Sequence, residues 1–231
     1  MTDRVQASSR PAYPPMGERL RAARLARNLT LRELAQRLGV SPSMISQIET
    51  GRASPSVSTL YALADELDVS LDELLFNDRR ATLAQDDNGP SSVGGQLMQR
   101  AAARKRIRLA SGVVWERLTP LSEPDTEFLF VTYEVGGASS PENEYQRHAG
   151  HEWGFVIEGS LEVRIGFEEH LLEPGDSISF ESTAPHRLAN VGDSPVHAIW
   201  FVLGRQPSGS EPSHDDLHAP SRARPSPKAT R

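Results

Sequence analysis

The chain contains no cysteine. Disulfides, thiolate metal sites and cysteine nucleophiles are therefore excluded, and the composition fits a reducing compartment. Long apolar runs are missing as well, since no stretch approaches the roughly 20 residues needed to span a bilayer. The first 15 residues, MTDRVQASSRPAYPP, lack the apolar segment of a secretory signal. The expectation is a soluble, cytoplasmic protein without membrane contact. Nor is there an overall positive charge: the net charge is −6.

That net charge hides a strong asymmetry. Residues 17–52 hold seven Arg against three Glu, whereas 53–78 hold six acidic residues and no Lys or Arg. Residues 79–108 return to seven basic against two acidic, and 109–204 carry four Arg against sixteen acidic side chains. Local positive potential is what a nucleic-acid-binding segment needs, because phosphate contacts supply most non-specific affinity. Alone, the pattern is equally compatible with ordinary solvated surface.

At 231 residues the chain has room for one large or two small domains. The pattern along it divides into five segments. Residues 1–15 and 205–231 have little to bury and are expected to be disordered. Residues 16–78 show helical periodicity. Residues 79–105, with DDNGPSSVGG followed by the basic run QRAAARKR, read as a linker. From 106 to 204, short β-rich runs such as VVWERL, FLFVTYEV, WGFVIEG, LEVRIG, SISF and HAIWFVL alternate with turn residues.

Caps divide the helical half into five short helices, near 16–27, 30–38, 42–50, 56–67 and 71–76. Thr30 and Glu33 fit a capping box, with Leu29 and Leu34 as its staple, and Ser70 and Glu73 repeat the arrangement with Val69 and Leu74. Ser41 is an N-cap followed by Pro42 at the first helical position, with Val40 and Ile45 as a third staple. Gly39 stands where the preceding helix must stop and turn through a left-handed conformation. Leu20, Leu25, Leu31, Leu34, Leu38, Val40, Ile45, Ile48, Leu60, Leu63 and Leu67 are expected to share one core. Small Ala35, ten residues before Ile45, lets two helices cross closely. With Ile45 and Ile48 inward, the second helix presents Ser43, Met44, Ser46, Gln47 and Thr50 outward. Short neutral hydrogen-bonding groups there suit a major groove, where Gln47 can pair with an adenine edge.

The run LRELAQRLGVSPSMISQIETGRASPSVSTLYALADELDVSLDELL resembles the phage-repressor-like (XRE) helix-turn-helix family over about residues 16–76. The resemblance implies that Ser43, Met44, Ser46 and Gln47 face bases and that Thr30, Arg32 and Arg52 contact phosphates. Pro42 departs from the polar residue often found at the start of that helix.

QRHAGHEWGFVIEGSLEVRIG and LLEPGDSISFESTAPHRLAN are similar to the two motifs of the cupin family over roughly residues 107–203. The resemblance implies a double-stranded β-helix barrel, and so a two-domain protein: an all-α, five-helix, repressor-like DNA-binding domain followed by an all-β cupin barrel. It also implies a ligand set at Gln146, His148, Glu152 and His186, with Gln146 standing where the family has a first His. Strand parity groups 146, 148 and 152 on one face and turns His151 away, unless a bulge at Ala149-Gly150 intervenes. Two His and one Glu can hold a divalent transition metal with water as a further ligand. A metal-free pocket binding an organic ligand is the alternative. Gly154 and Val156 would leave room inside the barrel, while Trp153, Phe155 and Ile157 face outward toward another layer or a dimer partner.

The function expected is a sequence-specific transcriptional regulator, a repressor by default, that binds an operator as a homodimer. A small-molecule effector in the barrel controls it, and no catalysis is expected. The alternative is a metal-dependent cupin enzyme tethered to DNA. Dimerisation is expected because one motif reads few base pairs, whereas two read half-sites about one helical turn apart.

Overall fold

In the computed structural model, which describes residues 15–75, 97–121, 123 and 125–204, five helices precede nine strands. The helices are α1 (Met16–Ala26), α2 (Leu31–Arg37), α3 (Pro42–Glu49), α4 (Val57–Leu67) and α5 (Leu71–Leu75). The strands are β1 (Arg106–Arg108), β2 (Val113–Arg117), β3 (Thr126–Tyr133), β4 (His151–Glu158) and β5 (Leu161–Ile165), then β6 (Glu168–Leu172), β7 (Ser177–Glu181), β8 (His186–Asn190) and β9 (Val196–Leu203). Apart from Pro15, the termini expected to be disordered lie outside the described residues, as does the expected linker before Leu97.

Side-chain caps start α2, α3 and α4. Thr30 Oγ1 accepts from Glu33 N–H at 3.1 Å while Thr30 N–H donates to Glu33 Oε2 at 2.8 Å, closing the capping box on α2. The Thr30 N–H first, and then the Thr30 hydroxyl, hold the exposed Glu33 carboxyl below its ordinary range. Ser41 caps α3 and Ser56 caps α4 through the amides of Met44 and Thr59, both at 3.1 Å. Gly39 takes φ 67° in the turn between α2 and α3.

Leu34, Ala35, Ile45, Ile48, Leu60, Leu63 and Leu67 are buried together, and each of the Leu and Ile side chains contributes about 1.5–3 kcal/mol relative to exposure. Leu31, Leu38 and Val40 are only partly buried against this core. Leu25 departs from the expectation and is exposed. The inward face of α1 instead runs through Leu20 and Arg24, four residues apart. Gly17 also lies on that face, and a Cβ there would sit 2.5 Å from the carbonyl oxygens of Ile48 and Glu49. Its missing side chain lets α1 lie directly on the end of α3.

The strands form a six-stranded sheet, β1-β2-β3-β9-β4-β7, and a three-stranded sheet, β6-β5-β8. Alternate residues of both point into the barrel, among them Leu129, Val131, Val156, Leu161, Val163, Leu188 and Ala198. The end of the expected linker is already docked on this barrel. Arg117 N–H donates to the Lys105 carbonyl at 3.0 Å, and Arg104 and Arg106 each lie 3.4 Å from the Glu116 carboxylate. These members of the basic run are therefore engaged at the sheet edge.

The two domains touch along α4. Ser58 N–H donates to the Ser139 carbonyl at 3.1 Å, and Ala110 N–H donates to the Pro55 carbonyl at 3.0 Å.

A candidate DNA-reading helix and a buried His-Glu-His cluster

Helix α3 buries Ile45 and Ile48 and leaves Ser43, Met44 and Gln47 exposed, with Ser46 half-buried. Gln47 Nε2 lies 3.4 Å from Ser43 Oγ one turn earlier, so the two outward groups lean together along the helix. Thr30, Arg32 and Arg52 are exposed around this face, at the start of α2 and just beyond α3. Glu49, the one carboxylate of α3, does not join it. It is buried in a two-pronged pair with Arg24, Nε–Oε1 at 2.6 Å and Nη2–Oε2 at 3.0 Å, and Arg24 Nη1 also donates to the Leu29 carbonyl at 2.6 Å. The outward face of α3 therefore carries no carboxylate, so nothing on it repels a phosphate backbone.

In the barrel, His148, Glu152 and His186 are brought together and almost wholly buried, with all three donor atoms within 4.8 Å of one another. They come from different places. Glu152 is on β4 and His186 on β8, while His148 precedes a bend at Ala149-Gly150. Continuous extension through 146–152, on which the parity reading depended, is thus interrupted. The grouping persists because His148 N–H donates to the Ser182 carbonyl at 3.1 Å and Ser182 N–H to the Gly150 carbonyl at 2.9 Å, holding the bend against the end of β7. His151 faces away and pairs with Glu181 at 2.9 Å.

Hydrogen bonds fix the ring tautomers. His148 Nδ1 lies 3.0 Å from the Ala149 carbonyl, and His186 Nδ1 lies 2.9 Å from the Ala184 carbonyl. A carbonyl only accepts, so each Nδ1 carries its proton and each Nε2 lone pair turns inward. Glu152 Oε1 sits 2.9 Å from His148 Nε2 and 3.2 Å from His186 Nε2. A carboxylate oxygen facing an imidazole lone pair is repulsive unless a cation stands between them. A third proton on the ring pair, or a metal ion, supplies it. Burial alone would push the Glu152 carboxyl up, but its contacts with His148 and His186 outweigh burial and hold it well below the usual range. Gln146 places its Nε2 2.9 Å from His186 Nε2, and its buried Oε1 has no hydrogen-bond partner. Two imidazole nitrogens, one carboxylate and a neutral amide form a donor set that fits a divalent transition metal.

Two residues of the site were not anticipated from sequence. Trp200, on β9, donates its indole N–H to Glu152 Oε2 at 2.6 Å. Its ring occupies the space that Gly154 was expected to leave open, and a Cβ on Gly154 would come within 2.1 Å of it. Tyr61 of α4 stacks on His148 with ring centroids 4.1 Å apart. Beside Tyr61 and Gln146, a cleft of about 340 Å³ opens between α4 and residues 144–147.

A helix-turn-helix joined to a cupin barrel defines a sequence-specific DNA-binding transcriptional regulator. Residues 20–74 match the helix-turn-helix family HTH_3, and residues 129–202 match the cupin-domain family Cupin_2. The chain is 26% identical over 182 residues to the HTH-type transcriptional regulator PuuR of Escherichia coli (strain K12), covering 75% of this chain and 86% of that protein. It is 32% identical over 124 residues to the HTH-type transcriptional repressor RghR of Bacillus subtilis (strain 168), covering 52% of this chain and 92% of that protein. The chain belongs to the HTH-type transcriptional regulators of the helix-turn-helix family and carries a cupin domain. The crystal structure of an HTH_3-family transcriptional regulator from Vibrio cholerae shares the fold, at 24% identity and a TM-score of 0.55, covering 82% of this chain and 94% of that one.

Proposed function

We propose that this regulator is an effector-controlled homodimer and that its barrel is a sensor, not an enzyme. The observation that carries the reading is the pairing, in one chain, of an uncharged outward face on α3 with a buried set of converging donor atoms in the barrel. Ser43, Met44, Ser46 and Gln47 read base edges, and Thr30, Arg32 and Arg52 hold phosphates. His148, Glu152 and His186, with Gln146 beside them, bind the effector directly or through a divalent metal. Such a metal, when bound, supplies a Lewis-acidic centre for a polar ligand group. The cleft beside Tyr61 is the route by which a small molecule arrives. Closure by Tyr61 on one side and Trp200 on another favours sensing over turnover, since a sealed cluster suits a bound state better than rapid product exchange.

The dimer forms through the outer face of the six-stranded sheet, where Trp153, Phe155 and Ile157 are 40%, 45% and 45% exposed. No other layer covers them among the described residues. We carry repression forward as the mode of action, in keeping with the repressor name of the Bacillus relative.

The test begins with selection of an operator from a random DNA pool. Gln47→Ala weakens the selected operator by about 1–3 kcal/mol and relaxes one base position. Arg52→Ala weakens all DNA similarly and flattens the salt dependence. His186→Ala removes metal or effector binding and leaves operator affinity intact. An unchanged base preference in Gln47→Ala, or retained metal and effector response in His186→Ala, overturns the corresponding assignment.

A further inference from the structure

Tyr61 is the side chain that the DNA-binding domain contributes to the barrel's cluster. Its ring lies flat on His148, with planes 16° apart, and meets Trp115 of β2 edge-on at 5.8 Å. Its hydroxyl donates to Glu127 Oε2 of β3 at 3.2 Å. The residue is buried, so barrel side chains surround it although it belongs to a helix of the other domain. His148 cannot tilt toward or away from Glu152 without moving the ring stacked on it, because packed interiors leave no slack for such a turn.

What Tyr61 would pass on follows from its place in α4. Leu60, Leu63 and Ala64 around it sit in the same core as Ile45 and Ile48 of α3. A second tie runs beside the stack. Ser58 N–H bonds the Ser139 carbonyl, and Ser139 exchanges bonds with Leu188, its N–H donating at 2.8 Å and its Oγ accepting at 3.1 Å. Leu188 lies two residues from His186 on β8. The first turn of α4 is thus tied to the strand of one cluster histidine, and Tyr61 touches the other.

We propose that Tyr61 is the positioning residue through which the state of the His148–Glu152–His186 cluster reaches the reading helix. Occupancy that turns the His148 ring displaces Tyr61, and α4 carries the displacement into the core that seats α3. This rests on reading the cluster as the receiving end of the sensor. A small equilibrium between two seatings of α4 is all that is required, biased by whichever state the cluster prefers.

The experiment uses the full chain, Co²⁺ as the probe and an operator fragment selected by the wild-type protein. Absorption of bound Co²⁺ reports the cluster, and operator affinity with and without Co²⁺ reports transmission. Wild type changes its operator affinity on Co²⁺ loading by about 5–150-fold, the usual range of such coupling. Tyr61→Leu keeps the Co²⁺ absorption while that change falls below about twofold. Tyr61→Phe, which retains the stack and loses the hydroxyl that bonds Glu127, responds like wild type. A Tyr61→Leu protein that responds as strongly as wild type overturns the proposal.

Absent Co²⁺ absorption, or absorption with no effect on wild-type affinity, counts against the sensor reading and leaves the relay to a metal-free measurement. That measurement is hydrogen exchange at the Ser58 and Ala110 amides, which bond across the seam, in Tyr61→Leu, His148→Ala and the double variant. Unchanged protection within α1–α3 confirms that the helical domain is folded. Exchange in the double variant no faster than in either single one supports the relay, and additive acceleration overturns it.

Discussion

Arg24 of α1 grips Glu49 at the end of α3 with two nitrogens, and both side chains are almost wholly buried. The pair does two things for α3. It clamps α1 over the C-terminal turn of α3, beside the close approach that Gly17 permits. It also withdraws a carboxylate from the outward face of α3. Removing one partner leaves the other charge buried, which costs about 3–5 kcal/mol, whereas replacing both by apolar groups is close to neutral. Arg24→Ala and Glu49→Ala should therefore each lower denaturant stability by about 3 kcal/mol or more. Arg24→Met with Glu49→Leu should recover most of it. Additive losses in the double variant would count against a specific pair.

Gly154 and Trp200 form the second tight relationship. They are cross-strand partners in the β4–β9 ladder, and the indole lies over the glycine where any Cβ would collide. Gly154→Ala should destabilise the barrel by about 1–3 kcal/mol or more through overpacking. Trp200→Phe removes the donor that satisfies Glu152 Oε2, and an unsatisfied buried acceptor costs about 1–3 kcal/mol. Chemical denaturation of the full chain, followed by far-ultraviolet circular dichroism, measures both. A Gly154→Ala protein as stable as wild type would show that the indole can move aside.

These pairs mark what was legible in the sequence. Thr30, Ser41 and Gly39 act within a few residues of themselves, so their chemistry could be read locally. The barrel strands could be read from alternation and turns. Leu25 was misplaced because a leucine one residue beyond the inward stripe looks apolar enough to join it, while Arg24 does not look like a core residue. Its burial depends on Glu49, 25 positions away. Parity alone puts Trp200 inside the barrel, but its seat over Gly154 requires the register of two strands far apart in sequence. Tyr61 carried no signal, since its partners belong to another domain.

Glu33 gives a pH dependence of known sign. Its carboxyl is held below the ordinary range by the Thr30 N–H and hydroxyl contacts. The ionised cap therefore stabilises α2 fully above the unfolded value of about 4.3 and loses that contribution as pH falls through the lower folded value. Thermal unfolding of wild type and Glu33→Gln should differ at pH 7 and converge toward pH 3. A gap that stays constant between those pH values would remove the charged cap from the account.

The outer sheet face makes the last prediction. Phe128, Phe201 and Trp153 are neighbours across β3, β9 and β4, with ring centroids 6.0 and 5.6 Å apart, and Phe155 pairs with Ile199 in the next row. A groove of about 400 Å³ runs along Trp153, Phe155, Ile178, Ile199 and Phe201. Two copies meeting there bury aromatic rows against each other, and a two-fold interface brings the same patch from both subunits. Phe155→Glu places a charge in each copy of that patch, so the repulsion is counted twice per dimer. The side chain is exposed in the single chain, so the substitution should leave the unfolding midpoint of an isolated subunit little changed. Sedimentation velocity should show wild type as a dimer and Phe155→Glu as a monomer. Operator binding should fall with it, because losing one of two half-sites removes roughly half of the base contacts and phosphate contacts. A Phe155→Glu dimer with wild-type operator affinity would move the interface to another face.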